Sequence, residues 1–86
     1  MTVNIPSPLY SYTGRQSTVD AAGRTVGELV ADLDRQFPGL RFRIINEQDG
    51  IREHIRVFVN GTLVPTLAAP LQARDEVHII CAISGG

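Results

Sequence analysis

"GRTVGELVADLDRQFPGL", residues 23–40, is the stretch on which the fold turns. Thr25 followed three positions later by Glu28 is a capping-box pattern, and Val26, Leu29, Val30, Leu33 and Phe37 recur at helical spacing. The spacing predicts an amphipathic helix with one apolar stripe. Pro38-Gly39 ends it, because proline cannot continue the backbone hydrogen-bond ladder. Such a stripe must be covered, and the segments on either side supply strands to cover it.

Upstream, Val3 and Ile5 alternate against Thr2 and Asn4, a half-buried strand cut short by Pro6. "SPLYSYTG" turns the chain, and "QSTVDA" reads as the return strand of an antiparallel hairpin with a wide connection. Downstream, "LRFRII" alternates as a strand would, although a short helical turn also fits, and "NEQDG" breaks it. "EHIRVFVNGTLV" puts Ile55, Val57 and Val59 on one face, and Asn60-Gly61 between β-branched flanks signals a hairpin. After a loop, "EVHIICAI" sets Val77, Ile79, Cys81 and Ile83 on one face and His78, Ile80 and Ala82 on the other. One long helix among several strands predicts an α+β fold, a ubiquitin-like β-grasp roll in which a mixed sheet packs on one main helix. The expected domain covers residues 1–82, followed by a flexible Gly-Gly tail at 83–86.

The chain has 86 residues and a formal net charge of −1, which suits one small domain with a single core. A domain this size buries only roughly 60% of its unfolded surface, which disfavours a deep, self-sufficient active site. The basic residues are scattered along the sequence, so neither a nucleic-acid footprint nor a membrane-surface patch stands out. No apolar run approaches the roughly 20 residues of a membrane span, and the N-terminus has no signal-peptide pattern. A cytoplasmic protein is expected.

All 8 basic residues are arginine, and the sequence contains no lysine. A lysine-free surface offers no internal amine to an activated acyl group; a GC-rich genome would give the same composition. Cys81 shares its parity with Val77 and Ile79, so it reads as a small core hydrophobe rather than a nucleophile. His54 and His78 with one cysteine lack zinc-site spacing, so no metal site is expected. On the face opposite the helix, Phe58, Ile80 and Ala82 form an expected apolar patch rimmed by Arg56 and His78, the make-up of a docking surface.

"VFVNG", Leu67 and Leu71, "RDEVHI" and the closing "AISGG" together resemble the small ubiquitin-like sulfur carriers. These include the molybdopterin synthase small subunit, the thiamine-thiazole carrier and the carrier of actinobacterial cysteine synthesis. The opening "VNIPSPLYSYTG" and the helix segment look most like the cysteine-pathway type. The sequence departs from the family at Arg74, often glycine, and at Ile80 and Cys81, often prolines.

The resemblance implies a protein cosubstrate rather than an enzyme. The Gly86 carboxylate would be adenylated by an E1-like enzyme and converted to a thiocarboxylate by a persulfide or sulfide donor. The sulfur would then pass to an accepting synthase. No cofactor would be bound by the carrier itself, since ATP is used by the activating partner. Gly85 and Ser84 would complete the tail that enters the partner, and four extended residues reach roughly 13–14 Å. A small subunit of molybdopterin synthase, a modifier forming isopeptide bonds and a plain β-grasp binding module stay open as alternatives.

Overall fold

In the computed structural model, residues 1–82 are described. The chain runs β1 (Thr2–Asn4), a 3-10 helix (Ser7–Leu9), β2 (Thr18–Asp20), α1 (Val26–Gln36), α2 (Leu40–Ile44), β3 (Ile55–Val59), β4 (Thr62–Val64) and β5 (Glu76–Cys81). The strands form one mixed sheet in the order β2-β1-β5-β3-β4, with β1 parallel to β5 and the other neighbours antiparallel. This is the expected β-grasp roll.

The helix is built as its sequence prescribes. The Thr25 hydroxyl accepts from the Glu28 amide, and the Glu28 carboxylate accepts from the Arg24 amide. The preceding amides of the first turn, Val26 and Gly27, donate to the carbonyls of Ala69 and Leu67, at 3.1 and 2.9 Å. The loop between β4 and β5 thus satisfies helix donors that would otherwise lack partners. Val26, Leu29, Val30 and Leu33 are buried against Val3, Val57, Val77 and Ile79 of the sheet in one continuous core.

Residues 40–44 resolve the choice left by the sequence. They are helical, and Leu40 and Ile44, one turn apart, are both fully buried, whereas Phe42 is 59% exposed. A strand would have put Leu40, Phe42 and Ile44 on one face. The Asp34 carboxylate accepts from the Gly39 and Arg41 amides, which fixes the corner between the two helices, and Gly39 takes a left-handed φ of 96° there. The Asn60-Gly61 hairpin forms as read, both residues having positive φ (50° and 84°), as a type I′ turn requires.

Candidate functional site

The strand that leads to the C-terminal segment lies at the centre of the sheet. β5 pairs with β1 on one side and with β3 on the other, where Ile55 faces Cys81 and Arg56 faces Ile80. One further backbone bond, from the Ala82 amide to the His54 carbonyl at 2.7 Å, holds the chain beyond the strand. The expected tail residues Ser84, Gly85 and Gly86 lie outside the described residues, as does Ile83.

The outer face of the sheet carries the expected apolar patch in a modified form. Register aligns Leu63, Phe58, His78, Asn4 and Thr18 across all five strands, with Ile80 and Arg56 in the next row. Phe58 is half-buried because Leu63 and His78 flank it directly, while Ile80 is 42% exposed and Ala82 is exposed. Leu63, 50% exposed, belongs to the patch and is absent from the sequence reading. Its signal was available, since a two-residue hairpin at Asn60-Gly61 necessarily sets Leu63 opposite Phe58.

The rim is less free than alternation implies. Arg56 leaves the outer face, yet its guanidinium turns back to donate to the carbonyls of Glu53 and Ile55. His78 is half-buried, with its Nε2 3.4 Å from the Asn4 amide nitrogen and 3.5 Å from a Glu76 carboxylate oxygen. Asn4 also donates to Glu76 and to the Val77 carbonyl. The patch is therefore apolar on its β3–β4 side and a polar network toward β1.

Cys81 departs from expectation. It points to the helix side but is only half-buried, because it is the last residue of β5 and pairs with Ile55 where the sheet runs out. Burial pushes its thiol above the ordinary value, and the nearby Arg43 charge opposes that rise. A thiol held protonated is a poor nucleophile. Among the described residues no group of three or more His, Cys, Asp or Glu side chains could hold a metal ion, and no helix is long and apolar enough to cross a membrane.

Comparison with known proteins gives a consistent assignment. The sulfur carrier protein CysO of Mycobacterium tuberculosis, like that of Mycobacterium bovis, is 32% identical over 91 residues, covering 100% of this chain and 98% of the relative. CysO in the BexX/CysO complex of Amycolatopsis orientalis superposes with a TM-score of 0.92 at 33% identity, over 99% of this chain and 98% of that one. The small archaeal modifier protein SAMP1 of Haloferax volcanii superposes with a TM-score of 0.76 at 29% identity, over 99% and 97% of the two chains. The profile of the ThiS family matches residues 3–86. With relatives above 30% identity aligned from end to end and a family match spanning nearly every residue, this chain belongs to the ThiS family.

Proposed function

We propose that the protein is a sulfur carrier of the cysteine-pathway type, acting in the cytoplasm as a cosubstrate of larger enzymes. The observation that carries this reading is the full-length match to CysO, a protein named as a sulfur carrier, together with a family match that extends through Gly85 and Gly86. The chemistry needs little of the carrier itself. A carboxylate is a poor electrophile, so an activating enzyme joins the Gly86 carboxylate oxygen to the α-phosphate of ATP and releases pyrophosphate. A sulfide sulfur then attacks the acyl carbon, AMP leaves, and a terminal thiocarboxylate remains. From a persulfide donor the first product is an acyl disulfide, which a thiol reduces to the same species.

The fold supplies a central strand as a rigid mount and an outer face to dock on. Phe58, Leu63, Ile80 and Ala82 provide the apolar contact, with Arg56 and His78 at its rim and Ser84 and Gly85 leading Gly86 into the partner. Glycine at the tip lets the chain take backbone angles closed to other residues inside a narrow channel. The test is intact-mass analysis after incubation with an activating enzyme, ATP and sulfide, with a Gly86 deletion as control. A gain equal to exchanging one oxygen for sulfur, absent from the deletion, is expected; adenylation without that gain would refute the carrier reading.

The likeness to SAMP1 favours a second reading, a protein modifier that forms isopeptide bonds through the same activated terminus. A ladder of higher-mass conjugates on immunoblots of cells would support it, and a single band would count against it.

A further inference from the structure

Arginines that are scattered in the sequence converge where the chain leaves the sheet. Arg43, on α2, is close enough to Cys81 for its charge to act on the thiol. Arg52 lies with its guanidinium 4.7 Å above the ring of Phe42 and its Nε donating to the Phe42 carbonyl. Arg52 and Arg43 flank one surface hollow together with His54, whose carbonyl holds Ala82. Arg56 borders an adjoining hollow that also includes Arg52. None of Arg43, Arg52 and Arg56 has a carboxylate within 4.0 Å among the described residues, although Glu47 and Glu53 border the same hollows.

The opposite end of the sheet carries carboxylates with two cations among them, the N-terminal ammonium 3.1 Å from Asp20 and Arg74 next to Asp75 in the sequence. Asp20, Thr2 and Glu76 align in register there, and Asp75 sits just before β5. From Glu76 to Cys81 the strand advances about 17 Å, which is about two Debye lengths at physiological salt. A partner meeting the tail end therefore feels the local balance there, three arginines against Glu47 and Glu53, rather than the net charge of −1. Arginine also suits the place chemically: its guanidinium stays protonated and does not take up an acyl group as a lysine amine can.

We infer that Arg43, Arg52 and Arg56 form a cationic collar around the root of the tail, which docks against a carboxylate-lined rim at the mouth of the activating enzyme's tail channel. The inference rests on the carrier reading and names the surface chemistry of its partner. The collar orients the carrier tail-first, through the field of its charged end, before the apolar face makes contact.

The test uses ATP–pyrophosphate exchange by the adenylating enzyme of the same organism, with the full-length carrier as the varied substrate. The paired substitution Arg43→Glu and Arg56→Glu should lower kcat/KM about tenfold or more, mainly through KM, and flatten its dependence on salt. Arg74→Glu, remote from the collar, should change it less than about twofold. The milder Arg43→Gln and Arg56→Gln pair, with wild-type salt dependence, decides the matter if charge reversal impairs folding. Kinetics unchanged in both pairs, or wild-type exchange insensitive to salt, would overturn the collar while leaving the carrier reading intact. Absence of exchange with the wild-type chain would instead remove the carrier reading, and the collar with it.

Discussion

Replacing Gly23 by alanine should be the most damaging glycine-to-alanine change among the described residues. The segment between β2 and α1 crosses directly over the first turn of the helix, held by the Ala22 amide on Asp32 and the Arg24 amide on Glu28. A Cβ at Gly23 would lie 2.4 Å from the Leu29 nitrogen, 2.8 Å from the Glu28 carbonyl carbon and 2.9 Å from the Leu29 Cα. All of these are backbone atoms of a hydrogen-bonded helix, so no rotamer change can relieve the contact. Overpacking of this kind costs about 3 kcal/mol, the upper part of its usual range. For a domain of this size, at about 5 °C per kcal/mol, the melting temperature should fall by about 15 °C.

Gly27 is the internal control. A Cβ there meets Leu67 at 3.4 Å and the Thr25 hydroxyl at 3.8 Å, both ordinary contacts, and the position lies in the first turn of the helix, so Gly27→Ala should stabilise by about 0.5–1 kcal/mol. Two identical substitutions four residues apart, one in the crossing segment and one in the helix, should thus act with opposite sign. Thermal and urea denaturation followed by far-ultraviolet circular dichroism measures both. A Gly23→Ala variant within about 1 kcal/mol of wild type would refute the close crossing.

Other outcomes follow from the titrating groups. Cys81, its thiol raised by burial, should react with iodoacetamide at neutral pH more slowly than free cysteine, and Cys81→Ala should leave thiocarboxylate formation intact. Hydrogen bonding to the Ala22 amide and then to Arg35 lowers the Asp32 carboxyl below its usual 3.8, and the Gln72 amide and Asn60 do the same for Asp75. A carboxyl depressed on folding stabilises fully above its ordinary value, and that stabilisation is lost as pH falls through the folded-state value. The melting temperature should therefore drop below about pH 4, less steeply in Asp32→Asn, and an identical profile in that variant would contradict the assignment.

The helix, the Asn60-Gly61 hairpin and the faces of β3 and β5 were legible because each rests on local periodicity or turn chemistry. The α2 segment was not, since five residues carry too few repeats to separate a period of 3.6 from one of 2. Leu40 and Ile44 fit both. The half-exposure of Cys81 and the folding back of Arg56 depend on where the sheet stops, which pairing decides and local sequence does not. The arginine collar is the same kind of fact: Arg43 lies on a helix, Arg52 in a loop and Arg56 on a strand, and only the pairing of Ile55 with Cys81 brings them to one end. Gly23, unremarkable in sequence, acquires its role from a chain crossing.

The parallel pairing of β1 with β5 has a mechanical consequence. A pull that draws the end of β5 away from the start of β1 loads their hydrogen bonds in shear, so that they must break together rather than one after another. The antiparallel ladder to β3 adds a second row resisting the same slide. An enzyme that grips the C-terminal segment and draws it inward therefore tugs on the most firmly anchored strand of the fold. The domain can be held at arm's length under tension without unravelling from the end being pulled.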